Sequence, residues 1–140
     1  MSSNKVFFSY SRKDTAFALT LAQDVRSAGA DIWIDQLDIR AGDLWDVEIE
    51  KALVNASCVL VVLSPFSVAS DNVQDEIAFA LDTQKTIIPV ILEPCTIPFR
   101  LRRWMHIDFS KNYEEGFAHL MAALQPAVQK LQSSREPMSC

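Results

Sequence analysis

The sequence predicts an α/β fold in which a five-stranded parallel sheet, with the strand order 2-1-3-4-5, carries helices on both faces. Two observations lead to this prediction. Short apolar runs alternate along the chain with segments whose apolar residues recur at helical spacing. The run Cys58–Leu63 is apolar without interruption, which is typical of a central strand that is covered on both faces.

The bulk composition fits a single globular domain. The chain has 140 residues, of which 49% are hydrophobic, and we assign residues 1–132 to the domain and residues 133–140 to a polar tail or the start of a linker. The net charge of −5 argues against a surface for nucleic acids or anionic membranes. No apolar run approaches the about 20 residues of a membrane helix, and no secretory signal is recognised.

The cysteines and histidines show no metal-binding spacing. Cys58, Cys95 and Cys140 lie far apart, and neither His106 nor His119 stands beside them at the spacing of a ligand pair. Widely separated cysteines, odd in number, are typical of a reducing compartment. We therefore expect a cytoplasmic protein with no metal site and no bound cofactor.

Five strands and four main helices are predicted. The strands are residues 6–8, 32–34, 58–63, 87–92 and 105–109. Asp43 is expected to cap the second helix, and Trp45 is expected on the buried face of that helix together with Ile49. Pro89 fits its strand poorly because proline lacks a donor for the ladder. Pro126 is expected to kink or disrupt the last helix.

The loops at the carboxyl ends of the strands are the expected ligand-binding region, as in other doubly wound sheets. These loops are residues 9–14, 35–43, 64–70 and 93–103. None of them contains a glycine-rich phosphate motif, and the whole chain has three glycines. Ser64 stands at the end of the third strand, where a phosphate-accepting receiver domain needs an aspartate. No Ser-His-Asp or Cys-His set is evident.

Five motifs follow one another along the chain. They are residues 6–14 (VFFSYSRKD), residues 32–35 (IWID) with Gly42 and Trp45, residues 59–70 with their serine-rich end, residues 76–81, and residues 87–91 (IIPVI). In this order they resemble the motifs of TIR (Toll/interleukin-1 receptor) domains of the bacterial type, and the fourth-strand motif accounts for Pro89. The resemblance extends from residue 4 to about residue 130. It implies the flavodoxin-like, three-layer form of the predicted fold.

The resemblance implies that Glu76 is the catalytic residue of an enzyme that cleaves NAD⁺, because enzymatic TIR domains have a catalytic glutamate at this place on the third helix. Helical periodicity alone would make Glu76 an exposed, solvated carboxylate. Many enzymatic TIR domains have a tryptophan one turn before the glutamate, and Asn72 stands there in this chain. Asn72 provides no aromatic wall, but its amide group is able to hydrogen-bond a ribose or an amide.

Further substrate contacts are implied by the resemblance. The residues concerned are Tyr10, Ser11, Asp35, Leu44, Trp45 and Asn72. A structural role is the alternative for several of them. Tyr10 is equally well a partly buried aromatic residue, and Asp35 equally well ties down its loop. Trp45 lies on an apolar stripe, which favours a core position with the indole flanking the site. Ser64 and Ser67 are expected to cap a turn.

Three functions stay open at this point. The first is an NAD⁺ hydrolase that releases nicotinamide and ADP-ribose or a cyclic ADP-ribose, is activated by self-association, and acts in immune or stress signalling, including antiphage defence. The second is a non-enzymatic scaffold that binds other TIR domains through residues 35–43, the BB loop. The third is an enzyme similar to nucleoside deoxyribosyltransferases, which have a related sheet and a catalytic glutamate. Glu76 favours an enzyme, whereas Asn72 favours a scaffold.

The partners implied by the resemblance are NAD⁺ as substrate and other TIR domains, in a homo-oligomer or a filament. A sensor domain in the same chain or in another chain is also expected. No nucleic acid and no membrane is expected to bind this domain, since the chain has no basic patch.

Overall fold

The central sheet has five parallel strands in the order β2-β1-β3-β4-β5, which confirms the predicted topology. The computed structural model describes residues 5–133, and it describes side chains as far as residue 124. The strands are β1 (Val6–Ser9), β2 (Ile32–Trp33), β3 (Cys58–Leu63), β4 (Thr86–Ile91) and β5 (Ile107–Asp108).

Helices cover both faces of the sheet. They are α1 (Thr15–Ser27), α2 (Asp35–Asp38), α3 (Trp45–Asn55), α4 (Asp71–Asp82) and α5 (Tyr113–Ser133), with short 3₁₀ turns at Arg12–Asp14 and Phe99–Leu101. Successive strand residues point to opposite faces, so Val6 and Phe8 pack with α1 and α5. Phe7 lies between them and packs on the other face, against α3 and α4. β3 is buried along its whole length, as its apolar run predicted.

The two outer strands are shorter than predicted. β2 ends at Trp33 because it is an edge strand that pairs only with Val6 and Phe7. β5 keeps only Ile107 and Asp108 of the predicted residues 105–109, and Met105 is 88% exposed. Pro89 does lie inside β4, opposite Val61 of β3. The residue pairs between β4 and β5 begin at Val90, after Pro89. The missing N–H of Pro89 therefore disturbs the hydrogen bonding of the sheet little.

The segment after β2 differs from the predicted plain loop. Residues Asp35–Asp38 form one helical turn, and the Asp38 carboxylate accepts a hydrogen bond of 2.9 Å from the backbone N–H of Ile34, the residue before the turn. Asp43 does not cap α3, which corrects the prediction. Its carboxylate instead accepts from the backbone N–H of Arg40 at 3.0 Å, and Leu44 occupies the cap position without a side-chain hydrogen bond.

Trp45 does not lie in the core, contrary to its place on the apolar stripe of α3. It is 38% exposed, whereas Ala52 and Leu53 further along the helix are buried. The first turn of α3 therefore lies beyond the region where the helix packs on the sheet.

The last helix is not interrupted at Pro126, where a kink or disruption was expected, and it extends to Ser133. Within it, Leu120 is buried and Phe117 is partly buried against the sheet. The predicted polar tail was residues 133–140. Ser133 ends α5, and the rest of that segment lies outside the described residues.

Candidate active site

A cleft of about 390 Å³ opens between the first turns of α3 and α4, next to the carboxyl ends of β1 and β2. Tyr10 follows β1 and Asp35 follows β2, so both reach the cleft from the sheet edge. Trp45 and Asn72 reach it from the starts of the two helices, and Glu76 reaches it one turn further along α4. Five of the seven candidate residues are thereby brought to one cavity.

Glu76 is held by a residue of the first strand. The Ser9 hydroxyl donates a hydrogen bond of 2.6 Å to Oε1 of Glu76. Ser9 is the last residue of β1 and is 1% exposed, so its position is set by the sheet. Glu76 itself is half-buried, and its side chain lines the cleft, whereas the neighbouring Ile77 is buried in the core. One carboxylate oxygen is thus fixed by the protein.

The surroundings of Glu76 favour its neutral form. Burial is the largest effect and raises the pKa of Glu76 from 4.5 to about 7. The Ser9 hydrogen bond lowers that pKa, while the negative charges of Asp35 and Asp75 raise it. A carboxyl group with this pKa changes its charge near neutral pH, which is where perturbed groups of functional sites are often found.

Tyr10 and Asp35 form a second hydrogen-bonded pair in the cleft. The Tyr10 hydroxyl donates to Oδ1 of Asp35 at 2.5 Å, and that oxygen also accepts from the backbone N–H of Gln36 at 2.8 Å. Burial, with the neighbouring Asp35 carboxylate, raises the pKa of Tyr10 well above its ordinary value, so the phenol stays protonated as a donor. Asp35 thereby joins the end of β1 to the start of the BB loop.

Arg12 closes the cleft on the side of α3. Its guanidinium carbon lies 4.7 Å from the centre of the Trp45 ring, a cation–π contact. One of its nitrogens lies 3.9 Å from Oδ2 of Asp35. The indole of Trp45 therefore packs against the Arg12 cation at the surface and not against core side chains.

Two candidate residues lie outside this cavity's lining. The Ser11 hydroxyl accepts a hydrogen bond of 3.2 Å from the backbone N–H of Lys13 and caps the 3₁₀ turn. Leu44 precedes α3 and is 68% exposed. Ser64 and Ser67 act as expected, because the Ser67 hydroxyl accepts from the backbone N–H of Ser64 at 2.9 Å and closes the turn after β3.

Three polar residues of this region were not singled out from the sequence. Ser9 holds Glu76, and Arg12 lies on Trp45. Asp14 is buried and accepts a hydrogen bond of 2.5 Å from the Ser64 hydroxyl. Their position in the sequence could have identified them. A polar residue that ends a buried strand, or follows it within one turn, faces the ligand-binding edge of the sheet.

The described part of the chain contains no cluster of three or more His, Cys, Asp or Glu residues able to hold a metal ion. In residues 5–133, no helix has both the length and the apolar character needed to cross a membrane.

The model of one protein family, described as TIR domain, matches residues 6–121. The chain belongs to the TIR domain family. An uncharacterised protein of Sinorhizobium fredii, y4cD, is 30% identical over 132 residues, which cover 89% of this chain and 20% of that protein. The NAD⁺ hydrolase PdTIR of Paracoccus denitrificans is 38% identical over 60 residues, which cover 42% of this chain and 20% of that protein. The matches thus span about a fifth of the length of these relatives.

Solved structures share the fold at low sequence identity. The TIR domain of the Toll-related receptor TRR-2 from Hydra magnipapillata superposes with a TM-score of 0.73 and 23% identity, over 86% of this chain and 97% of that one. A 2-deoxyribosyltransferase from Bacillus psychrosaccharolyticus gives a TM-score of 0.62 and 11% identity, over 86% and 95% of the two chains. At these identities the likeness shows the fold alone.

Proposed function

We propose that this TIR domain hydrolyses NAD⁺ at the N-glycosidic bond, with Glu76 as the catalytic carboxylate. The observation that carries the proposal is the Ser9–Glu76 pair: a half-buried carboxyl group, hydrogen-bonded at 2.6 Å, that lines a cleft at the carboxyl ends of the strands. An ordinary surface glutamate is not fixed by a buried hydroxyl from another element. The match to the PdTIR hydrolase adds support over the 60 residues that it covers.

The reaction needs little from the protein beyond position and charge. The bond between ribose C1′ and the pyridinium nitrogen breaks, and its electron pair goes to the nitrogen. Nicotinamide therefore leaves as a neutral molecule that needs no proton, unlike the leaving groups of ordinary glycosidases. Water adds to C1′ and releases one proton. The carboxylate of Glu76 stabilises the positive charge that develops at C1′, and its free oxygen binds a ribose hydroxyl.

The remaining cleft residues have supporting roles in this proposal. Tyr10 and Asp35 provide fixed acceptors at the sheet edge, because the one O–H of Tyr10 is already donated to Oδ1 of Asp35. Asn72 stands one turn before Glu76 and offers an amide in place of an aromatic ring. Ser11 and Leu44 lie outside the lining of the cleft, and their contacts with a substrate or with a neighbouring copy stay predictions.

The decisive experiment is incubation of concentrated protein with NAD⁺, followed by chromatographic separation of the products. The parent should release nicotinamide with ADP-ribose or its cyclic form. Glu76→Gln keeps the size of the side chain but removes its charge, so turnover should fall by about 100-fold or more. Asp82→Asn is the matched control, because it removes a carboxylate from the exposed end of the same helix. Equal rates for the parent and Glu76→Gln would remove Glu76 from the mechanism.

Association with other TIR domains is the second candidate function. The observation in its favour is exposed apolar surface around the BB loop, where Leu37 is 38% exposed and Leu44 is 68% exposed. We propose that this surface binds a second copy. Light scattering over a range of protein concentrations tests it, with Leu44→Ser as the variant. A parent that assembles but never cleaves NAD⁺, even when clustered, would favour the scaffold.

The wider setting of this activity is also a proposal. Because the matched relatives are about five times longer than the matched region, a sensor module in the same chain or in another one is an expectation. A role in immune or stress signalling stays a prediction.

A further inference from the structure

The cleft around Glu76 is strongly acidic. Five of its lining residues have a carboxyl group: Asp35, Asp46, Glu50, Asp75 and Glu76. Among the described residues that line it, Arg12 alone is a cation. A dinucleotide has a diphosphate with two negative charges, which such a surface repels. A substrate of this class therefore requires Arg12 as the point where its diphosphate is neutralised.

The geometry of Arg12 suits this role. The guanidinium carbon lies 4.7 Å from the centre of the Trp45 ring, so the indole supports the cation. Its N–H donors are directed outward in the guanidinium plane, in the fork that matches two phosphate oxygens. Within the described part of the chain, no hydrogen bond from these donors is formed. The nearest acceptor, Oδ2 of Asp35, is 3.9 Å away, beyond hydrogen-bond range.

The Asp35 carboxylate positions Arg12 but leaves the N–H donors of its guanidinium free to bind another group. Its Oδ1 is already engaged by Tyr10 and by the backbone of Gln36, whereas Oδ2 faces the guanidinium. The Arg12 side chain is 62% exposed, and an ion pair in such surroundings contributes little free energy. A diphosphate can therefore replace Asp35 as the partner of the guanidinium at a small cost in free energy, while the contact with the Trp45 ring is kept.

We propose that Arg12, supported on Trp45, is the diphosphate-binding residue of the cleft and makes it select nicotinamide nucleotides over nicotinamide nucleosides. This inference rests on the proposed function, since it names the part of NAD⁺ that is bound away from the reacting bond. Binding energy from this remote contact orients the ribose at Glu76. Loss of the contact therefore lowers kcat/KM for substrates that have the diphosphate.

The test compares two substrates that share the scissile bond. NAD⁺ has a diphosphate, and nicotinamide riboside has no phosphate. Arg12→Gln should lower kcat/KM for NAD⁺ by about 10- to 100-fold, the effect of losing hydrogen bonds to a charged group. It should leave kcat/KM for nicotinamide riboside within about twofold. Lys13→Gln is the matched control, because Lys13 is the adjacent cation and lies over the Phe66 ring instead of the cleft. Equal losses for both substrates, or no loss for either, would overturn the assignment.

A binding measurement separates this inference from the proposed activity. ADP contains the diphosphate but no bond for the enzyme to break, so its Kd is measured by calorimetric titration whether or not NAD⁺ is hydrolysed. The parent should bind ADP, and Arg12→Gln should weaken binding by about tenfold or more. Arg12→Lys should recover only part of the affinity, because lysine keeps the charge but loses the fork and the stacking. A parent that does not bind ADP, or an Arg12→Gln variant with an unchanged Kd, would refute the diphosphate site.

Discussion

The Ser9 hydroxyl and the Glu76 carboxylate meet at 2.6 Å although 67 positions separate them in the sequence. Ser9 ends β1, which pairs with β3 through Val61 opposite Ser9, and α4 begins soon after β3. The sheet register thus fixes the hydroxyl beside the first turns of α4. Because a hydrogen bond to a carboxylate stabilises its charged form, Ser9 opposes the effects of burial and of the neighbouring acids.

The first prediction concerns this hydrogen bond. Ser9→Ala removes the donor that lowers the pKa of Glu76, so the pH at which activity is half-maximal should rise by about one unit. Activity should increase with pH in both proteins, since the ionised carboxylate is the active form, and the parent midpoint should lie at about 7. The pH dependence of kcat/KM and a carbon NMR titration of the Glu76 carboxyl group measure the shift.

Ser9→Thr is the control for this prediction, because it keeps the hydroxyl and suits a strand. It should restore the parent midpoint. A Ser9→Ala variant whose activity drops by the same factor at every pH, with an unmoved midpoint, would mean that Ser9 only supports the local packing.

The second prediction concerns the stability of the folded protein. The pKa of Glu76 is about 7 in the fold against an ordinary value of 4.5, so between these values the folded state binds more protons than the unfolded state. Stability should therefore fall as pH rises through this window. Glu76→Gln does not titrate, so at about pH 8 it should be more stable than the parent by about 1 to 3 kcal/mol.

Urea unfolding of both proteins over this pH range measures the difference. The advantage of Glu76→Gln should disappear as pH falls below the ordinary pKa of 4.5, where Glu76 is protonated in both the folded and the unfolded parent. Asp82→Asn should show no such pH-dependent difference, because Asp82 is exposed. A constant difference at all pH values would argue against a buried carboxyl group.

Much of the fold was predictable from local pattern, but contacts between distant segments were not. The apolar run Cys58–Leu63 marked the central strand, and alternation of strands and helices gave the parallel topology. The Ser9–Glu76 pair depends on strand register, which no single segment encodes. Trp45 was misplaced because helical spacing defines a face of α3 but not how far that helix extends past the sheet.

In the candidate site, too, single residues were predictable from the sequence, but contacts between distant segments were not. The resemblance in the sequence identified five residues of the cleft, among them Glu76 and Asp35. Arg12 belongs to the first motif, residues 6–14, but its place in the cleft follows from the contact of its guanidinium with the Trp45 ring. This contact joins the 3₁₀ turn after β1 to the first turn of α3, and their relative position is set by the packing of α3, so sequence spacing does not reveal it.

The third prediction concerns the BB loop, residues 35–43. Gly42 has a φ of +97°, a conformation that glycine adopts without steric cost. A Cβ at this position meets no atom within 4 Å, so Gly42→Val should strain the backbone without a clash. The loop should change conformation, and both self-association and NAD⁺ turnover should decrease. Light scattering and the concentration dependence of turnover are the measurements.

Gly29→Val is the matched control for the loop variant. Gly29 also has a positive φ, +103°, and also has free space around a Cβ, but it precedes β2 at the opposite end of the sheet. It should therefore lower stability through a similar strain and leave assembly unchanged. If Gly42→Val affects neither assembly nor turnover, the loop is a passive connection.

The last prediction concerns Asn72, which lines the cleft one turn before Glu76. The resemblance noted in the sequence implies a tryptophan at this position in many enzymatic TIR domains, and we expect an aromatic face there to stack on the nicotinamide ring. Asn72→Trp should therefore raise kcat/KM for NAD⁺ by about fivefold, the worth of one aromatic contact. Asn72 is exposed, so the larger side chain should cost little stability. Asn72→Leu separates stacking from apolar bulk, because it adds volume without a π-system. The measurement is the initial rate at subsaturating NAD⁺ for the parent and both variants at equal concentration. A Trp variant no faster than the Leu variant would show that the ring of the substrate does not stack on this turn of α4.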